Sequence, residues 1–513
     1  MKLKKNFYFP SIAEMFFLAL FLYLSLTKGL GMLNDCDTGY HIRAGEWILN
    51  NFSIPRYDIF SFRTPALPWT AHEWLSEVIM ALIHKAFGLT GVAIFFSAII
   101  ALVSSLLFRM IRSFNGSILV AVFITLLATI SSQIHWLARP HVFSFLFFLL
   151  WYWILENYRQ NRGNHLYLLP IILLLWVNLH GGYLAGFILL GIYILGEMPA
   201  CLKQNHELKS AARRRIKSLL LMTGICLPVA CINPYGFHIL LFPFNLVGNK
   251  MIMNFVNEFM SPNFHDPTPF KYLLFLFIVV ISLSKERMRP TDLLLILAFL
   301  NMSLYSARYI PLFSLVSAPI LAYHIDLLLK NSQGKVMERY IKKSENIAAI
   351  DSSSGGILWP IIPVVGVTCL IVSGNLHYEF DPKIKPVAAV RFIEKAELTG
   401  NMFNNDEFGD YVIYATWPRY KVFFDGRSDM YGTKILKEYL KVIGFEKGWE
   451  NILKKHHINW IFIGSDSHFS RVLATRTDWS LIYSDKVAAI FIRNTPQNMA
   501  IINQYSKNAI QGK

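Results

Sequence analysis

Asn34-Asp-Cys-Asp-Thr-Gly-Tyr-His-Ile-Arg-Ala-Gly-Glu-Trp-Ile-Leu49 opens the densest polar region in the first three-quarters of the chain, residues 34–90. One long apolar run precedes this region and many more follow it. A membrane span needs about 20 mainly apolar residues to cross about 30 Å of hydrocarbon. On that criterion we predict about eleven spans, near residues 11–33, 91–110, 117–136, 142–158, 165–178, 182–200, 217–232, 270–284, 291–306, 309–329 and 356–374.

The composition indicates an integral membrane protein. Of 513 residues, 54% are hydrophobic and only 16% are charged, and the mean hydropathy is +0.40. A soluble protein would carry about a quarter charged residues. The net charge of +16 does not indicate nucleic-acid binding, because Lys and Arg stand in short clusters between apolar runs. The five cysteines have no Cys-x-x-Cys spacing, which argues against a disulfide framework.

The distribution of basic residues predicts the orientation of the spans. With Met1 in the cytoplasm, the cytoplasmic segments hold about 21 Lys and Arg in about 75 residues, whereas the outside loops before residue 375 hold about 8 in about 110. This bias requires that 38–50 and 72–87 are helices that do not cross the membrane. Both carry charged residues that suit the membrane surface or a position packed between spans. The C-terminal 140 or so residues then face outward.

The fold class predicted is mainly α, with a transmembrane helical bundle over residues 1–375 and an extracytoplasmic α/β domain over 376–513. Within the tail, Tyr411-Val-Ile-Tyr, Lys421-Val-Phe-Phe and Trp460-Ile-Phe-Ile are expected to be short strands. Segments 387–396 and 433–443 are expected to be helical, and the cytoplasmic loop 331–355 is the expected flexible segment. The acidic series Asp406-Glu407, Asp410, Asp425-Gly-Arg427 and Asp429 suits turns better than catalysis.

Candidate catalytic residues lie in the first outside loop. Asp37 and His41 are four residues apart at a predicted helix start, so both side chains can lie on one face. We predict these two and Glu73 as catalytic, and Asp35 as a helix cap or a supporting residue. Three further residues are expected to support the site, namely Arg43, His72 and Glu258.

Other polar residues follow successive spans at the same predicted membrane face. They are Arg139-Pro-His141, Asn178-Leu-His180, Asn233, Glu258 and Arg308-Tyr309. Each alone has a structural explanation, such as an interhelical hydrogen bond or a snorkelling arginine. Polar groups near the hydrocarbon border are nevertheless costly unless they are paired or functional. Their convergence on one membrane face indicates a shared site and not a set of separate structural contacts.

The chain resembles the C-type (GT-C) glycosyltransferases, particularly bacterial members that end in an outside domain. The resemblance covers about residues 10–320 and is carried by the acidic start at Asp37-Thr-Gly-Tyr-His, by Pro65-Ala-Leu-Pro-Trp-Thr-Ala-His-Glu-Trp-Leu and by Leu137-Ala-Arg-Pro-His. Phe424-Asp-Gly-Arg-Ser-Asp-Met-Tyr-Gly is also similar to a segment in such members. The resemblance implies that Asp37 activates the acceptor or binds a divalent cation (Mg, Mn or Zn). His141 stands in place of the usual second acidic residue, and it is the other predicted metal ligand.

The predicted function is transfer of a sugar from a polyprenyl-phosphate donor to a lipid, glycan or protein acceptor. Asp37 would serve as general base while Arg139 and Arg308 receive the departing phosphate, all in one cavity. Tyr309 and His180 are the other residues expected to bind the donor phosphate. The location predicted is the bacterial cytoplasmic membrane, with the tail domain in the periplasm or outside the cell. The open alternatives are an envelope polysaccharide polymerase or ligase, a transporter or flippase of lipid-linked glycans, and a catalytically inactive scaffold.

Overall fold

The computed structural model describes residues 8–114, 117–356 and 358–511, so the predicted cytoplasmic end at Met1 lies outside the described residues. The chain divides into two units. The first contains the described residues up to Gly29 together with Ala93–Pro243 and Asn254–His377. The second contains Leu30–Val92, Phe244–Met253 and the described residues from Tyr378 onward. The polar segment 34–90 therefore groups with the C-terminal segment and not with most of the helices that follow it.

The first unit is helical throughout its regular structure. Its α-helices are Ile12–Leu26, the part of Trp74–Phe114 that follows residue 92, Ile118–Ser131, His141–Arg159, Leu168–Leu179, Leu184–Cys201, His206–Ala230, Pro269–Leu283, Pro290–Tyr305, Ile310–Lys330, Lys335–Ser353 and Leu358–Val372. Short 3-10 turns occupy Ser132–His135, Gly181–Tyr183, Asn257–Phe259 and Ala307–Tyr309. The helix His238–Gly248 begins in this unit and ends in the second.

Within the described ranges, four helical segments are long and apolar enough to cross a membrane, namely Trp74–Phe114, Ile118–His135, Gly181–Cys201 and Ala307–Lys330. Six shorter apolar helices of 10–17 residues accompany them. These segments make the chain a multi-pass membrane protein. The predicted eleven spans are not confirmed, because several coincide with short helices such as Leu168–Leu179. A helix of that length is about 18 Å long, against about 30 Å of hydrocarbon.

A buried polar cluster joins three helices of the first unit. Glu156 accepts hydrogen bonds from Arg159 Nε at 2.9 Å and from the Tyr193 hydroxyl at 2.7 Å. Arg159 also lies 3.5 Å from the carboxylate of Asp292. Arg159 lies between these two carboxylates, and a buried charge is tolerated where it has an oppositely charged partner. The cluster therefore has a structural role in holding His141–Arg159, Leu184–Cys201 and Pro290–Tyr305 together.

The second unit combines helices with one mixed sheet. Its α-helices are Gly29–Met32, Asp37–Asn51, the part of Trp74–Phe114 up to residue 92, Lys250–Phe255, Val387–Ala396, Asp406–Thr416, Ser428–Ile443, Trp449–Lys455, His468–Leu473 and Met499–Gln511. The strands are β1 (Asn401–Asn404), β2 (Ile458–Gly464), β3 (Trp479–Ser484) and β4 (Ala488–Arg493), in the order β1-β2-β4-β3. β1 pairs parallel with β2, and the other pairs are antiparallel.

Several predictions for the tail are confirmed and others are wrong. The helix at 387–396 and the strand containing Trp460 are present, and 433–443 lies inside Ser428–Ile443. Tyr411-Val-Ile-Tyr is helical, within Asp406–Thr416, because acidic residues in its first turn favour a helix start there. Lys421-Val-Phe-Phe forms a single bridge, between Val422 and Ser61. The loop 331–355, expected to be flexible, is mostly the helix Lys335–Ser353.

Candidate active site

Two arginines meet one carboxylate in the first unit. Arg308 Nη1 lies 3.3 Å from Glu258 Oε1, and Arg139 Nη1 lies 3.6 Å from Glu258 Oε2. Burial alone would raise the pKa of Glu258, but the charges of Arg308 and Arg139 outweigh it and hold the pKa well below the usual range. Glu258 is therefore ionised, and the three groups together carry one excess positive charge.

Local backbone contacts explain why Glu258 and Arg308 meet, although they are 50 residues apart in sequence. The Ser306 hydroxyl donates to the carbonyl of Glu258 at 3.1 Å, and the Ala307 amide donates to the carbonyl of Met260 at 2.9 Å. These bonds join the 3-10 turn Asn257–Phe259 to the turn that carries Arg308. The guanidinium of Arg308 also stacks over Phe259, 5.1 Å from the ring centroid.

Histidines complete this cluster, which we call the Arg–His cluster (Arg139, Arg308, Glu258, His135, His141 and His180). His180 Nε2 lies 3.3 Å from Arg308 Nη2, and His135 Nδ1 lies 3.8 Å from Glu258. The His141 ring is in contact with the rings of both other histidines. Arg139, Arg308, His180, His141 and Glu258 were all predicted to converge, and the structure brings them together; His135 was not predicted. Tyr309 lies in the same turn as Arg308 and is half-buried.

The second group of candidate residues starts at Asp37, the first residue of the helix Asp37–Asn51. Asp35 accepts a hydrogen bond from the Asp37 amide at 2.9 Å, so it serves the first turn of this helix as a cap does. The helix approaches two others closely at its glycines. A Cβ at Gly39 would lie 2.6 Å from Cβ of Tyr414, and one at Gly45 would overlap the backbone carbonyl of Glu77.

The carboxylate of Asp37 shares its surroundings with that of Asp410 from the helix Asp406–Thr416. A Cβ added to Gly426 would overlap Asp37 Oδ1 and would lie 3.1 Å from Asp410 Oδ2. The Gly426 amide donates to both oxygens of Asp410, at 3.0 and 3.2 Å. Burial, followed by the charges of Asp37 and Asp425, raises the pKa of Asp410 well above its usual range. Burial and these charges thus favour the neutral form of Asp410 beside the half-buried Asp37.

A buried ion pair lies in the same unit. Arg427 Nη2 donates to Asp58 at 2.8 Å and to Asp425 at 2.7 Å. The guanidinium stacks against Phe60 and Trp69, with 4.8 and 4.7 Å to the ring centroids. Arg427 is 2% exposed and Asp425 is fully buried. These contacts fix the loop 425–427 against the first outside loop.

His41 lies between Glu73, which precedes the helix that starts at Trp74, and Glu77 in the first turn of that helix. Its Nδ1 is 3.3 Å from Glu77 and its Nε2 is 3.6 Å from Glu73. His41 and Glu73 were both predicted as catalytic, and the structure places them in contact, whereas Glu77 was not predicted. His72 Nε2 lies 3.7 Å from Glu73. Arg43 donates to the Tyr414 carbonyl at 2.7 Å and pairs with Glu46, so its contacts are structural.

The predicted divalent cation does not fit the residues proposed to hold it. The Nε2 of His141 lies 2.9 Å from the His135 carbonyl oxygen, so this nitrogen is a donor and cannot ligate a metal. Over residues 8–114, 117–356 and 358–511, no group of three or more His, Cys, Asp or Glu side chains could hold a metal ion.

The predicted residues therefore fall into two sets. One is the Arg–His cluster of the first unit, and the other surrounds Asp37 in the second. Sequence reasoning missed Asp410, Asp425 and Arg427, which it assigned to turns. The sequence signal that could have identified Asp425 and Arg427 is the segment from Phe424 to Gly432, because it is similar to a segment in other C-type proteins.

Comparison with known structures finds the same fold in a membrane glycosyltransferase. The apo oligosaccharyltransferase of Archaeoglobus fulgidus aligns with a TM-score of 0.54 and 11% identity, covering 94% of this chain and 74% of that one. The archaeal oligosaccharyltransferase AglB from Archaeoglobus fulgidus, in complex with an inhibitory peptide and a dolichol-phosphate, aligns with a TM-score of 0.55 and 12% identity over 95% and 75% of the two chains.

ArnT from Cupriavidus metallidurans, bound to undecaprenyl phosphate, aligns with a TM-score of 0.46 and 12% identity, over 92% of this chain and 97% of that one. No conclusion is based on this alignment. No protein-family model matches the sequence, and no curated protein does. At these identities the likeness to the oligosaccharyltransferase establishes the fold alone. The chain has the fold of the C-type glycosyltransferases, as the sequence resemblance predicted.

Proposed function

We propose that this protein is a glycosyltransferase that moves a sugar from a polyprenyl-phosphate donor to a lipid, glycan or protein acceptor. The observation that carries the proposal is the meeting of Arg139 and Arg308 at one carboxylate, that of Glu258, in the Arg–His cluster. Both arginines are permanently charged. Two guanidinium groups held this close together suit a bound phosphate, whose charge and geometry they match.

The fold supports the lipid-linked form of this anion. The oligosaccharyltransferase that shares the fold has been solved with a dolichol-phosphate. The apolar helices around the Arg–His cluster suit a polyprenyl chain in the bilayer. The bias of Lys and Arg between loops supports a reaction on the outer face of the cytoplasmic membrane. The tail domain from Tyr378 onward would then lie outside the cytoplasm.

We assign the acceptor side of the reaction to Asp37. The acceptor hydroxyl oxygen attacks the anomeric carbon, and the bond from that carbon to the phosphate oxygen breaks. The hydroxyl proton passes to the Asp37 carboxylate, and the bonding electrons leave with the phosphate. The raised pKa of Asp410 supports this role, because a neutral Asp410 beside Asp37 favours the ionised form of Asp37.

Binding of a polyprenyl phosphate tests the donor assignment. The full chain, in nanodiscs, is titrated with decaprenyl phosphate, and the Kd is compared for wild type, Arg139→Ala and Arg308→Ala. Each variant should bind at least about tenfold more weakly, because a charged hydrogen bond contributes about 1.5–3 kcal/mol. Arg419→Ala, which removes an exposed pair with Glu397, is the matched control and should bind as wild type does. Unchanged Kd values in both cluster variants would overturn the proposal.

Transfer assays test the role of Asp37. Synthetic polyprenyl-phosphate hexoses are incubated with the protein and a membrane extract as acceptor source, and release of polyprenyl phosphate is measured. Asp37→Asn should lose about 10²–10⁴-fold in rate while decaprenyl phosphate binding is kept, since only the proton acceptor is removed. Full activity of Asp37→Asn would exclude it as the base.

A further inference from the structure

The side chain of His180 is held by two donors at one nitrogen. The Gly182 backbone N–H donates to His180 Nδ1 at 2.9 Å. The Ser144 hydroxyl lies 2.6 Å from the same nitrogen. A backbone N–H can only donate, so Nδ1 must be the unprotonated, accepting nitrogen of the ring. The imidazole is therefore neutral, and its one proton is on Nε2.

The accepting Nδ1 of His180 settles the direction of the serine hydrogen bond, because only the Ser144 hydroxyl can then donate. The indole Nε1–H of Trp176, which can only donate, lies 2.7 Å from Ser144 Oγ and holds that hydroxyl in place. Trp176 is fully buried, and Ser144 and His180 are 5% and 6% exposed, so water does not compete for these groups. The order of donation is Trp176 to Ser144 to His180.

This tautomer directs a donor at the Arg–His cluster. His180 Nε2 lies 3.3 Å from Arg308 Nη2, which is also a donor. Two N–H groups at this distance do not bond to each other and instead suit an acceptor that both can reach. A phosphate oxygen is such an acceptor, and each of its bonds would be charge-assisted.

We propose that Trp176 and Ser144 are positioning residues, which hold His180 as the Nε2–H tautomer so that it donates, beside Arg308, to the phosphate of the donor lipid. This inference rests on the proposed function, because it takes the Arg–His cluster as the phosphate site. It also gives His180 a defined chemical role. With Nδ1 occupied and Nε2 protonated, His180 is a hydrogen-bond donor and not the base of the reaction.

Gly182 lies against both Ser144 and His180. A Cβ at this position would overlap Ser144 Oγ and would lie 2.8 Å from His180 Nδ1. Alanine would therefore displace both donors at once. Gly191, in the following helix Leu184–Cys201, has nothing within 4 Å of an added Cβ and provides the matched control.

The test is a double-mutant cycle on the Kd of decaprenyl phosphate, with the full chain in nanodiscs. His180→Ala should weaken binding about tenfold or more, and Ser144→Ala or Trp176→Phe about fivefold. Ser144→Ala should add nothing in the His180→Ala background, because Ser144 acts only through that ring. Ser144→Thr, which keeps the hydroxyl, should restore binding. Gly182→Ala should match His180→Ala, while Gly191→Ala binds as wild type does.

The outcomes separate this inference from the function on which it rests. If Arg308→Ala and His180→Ala both bind as wild type does, the phosphate site itself is wrong. Two results would overturn the positioning role while Arg308→Ala still weakens binding. In one, Ser144→Ala leaves the Kd unchanged. In the other, the loss of affinity caused by Ser144→Ala adds fully to the loss caused by His180→Ala. Thermal unfolding of each variant shows whether a loss of binding reflects loss of the fold.

Discussion

Arg427 donates a 2.8 Å hydrogen bond to Asp58, which precedes it by 369 residues. Asp58 also accepts from the amides of Phe60 and Ser61, at 3.0 and 3.2 Å. Burial would raise the pKa of Asp58, but the charge of Arg427 and these hydrogen bonds lower it. The buried guanidinium of Arg427 thus joins the segment around Asp58 to the C-terminal segment. Arg427 directly follows Gly426, the glycine that lies beside Asp37.

Asp58→Ala should destabilise the protein by about 3–5 kcal/mol, because it leaves Arg427 buried with one of its two partners missing. The measurement is thermal or denaturant unfolding of the full chain in detergent. The matched control is Glu397→Ala, which breaks the exposed pair with Arg419 and should cost no more than about 1 kcal/mol. Equal effects of the two substitutions would show that Arg427 does not need Asp58.

Gly45→Ala should be disruptive, because its Cβ would overlap the backbone carbonyl of Glu77 and would lie 2.8 Å from Cβ of Ala81. Overpacking of this kind costs about 1–3 kcal/mol, and more where backbone must move. Gly31→Ala is the control, since nothing lies within 4 Å of its Cβ and alanine favours the helix Gly29–Met32. Melting temperatures of the two variants give the comparison. A stable Gly45→Ala protein would contradict the close packing of these helices.

The sequence predicted the local features of the site better than its assembly. Charge and spacing located the helix Asp37–Asn51 and the polar residues that follow successive spans. Hydrophobic periodicity cannot show which distant segments meet, so Gly426 and Asp410 were assigned to turns and not to the surroundings of Asp37. The strand predicted at Tyr411 failed for a related reason. β-branched and aromatic residues also suit the buried face of a helix, and tertiary packing decides between the two.

The predicted number of spans is not confirmed, because hydropathy reports the length of an apolar run and not the length of its helix. The segment predicted near 165–178 is apolar, but its helix, Leu168–Leu179, has only 12 residues. The segment 72–87 is followed by a break at Gly88, whose φ of 63° and ψ of −165° interrupt the helix Trp74–Phe114. Only glycine adopts such a conformation readily.

Asp410→Asn should change how stability depends on pH. The folded pKa of Asp410 is raised, so at pH values above about 4 the native state keeps a proton that the unfolded chain has lost. Stability therefore falls as pH rises through this window, by up to about 1.4 kcal/mol per pH unit. Asparagine removes this contribution, so the free energy of unfolding of the variant should rise relative to that of wild type as pH increases. Unfolding measured from pH 4 to pH 9 tests this, with the exposed Asp466→Asn as control.

Glu258→Gln should strengthen binding of a polyprenyl phosphate. In the structure the Glu258 carboxylate forms ion pairs with Arg308 and Arg139, the groups that we assign to the phosphate, so it competes with the ligand for them. Glutamine keeps the shape of the side chain and removes the competing charge. We expect the Kd of decaprenyl phosphate to fall about three- to tenfold, which corresponds to about 0.7–1.4 kcal/mol, with a steeper dependence on salt.

The same substitution should lower the stability of the unliganded protein, because two arginines lose their counter-ion. Glu197→Gln is the matched control: it removes the partner of Arg215, 2.9 Å away, outside the Arg–His cluster. It should leave the Kd unchanged whatever it does to stability. If Glu258→Gln instead weakens binding, Glu258 orients the arginines for the phosphate and does not compete with it, since loss of a competitor can only raise affinity.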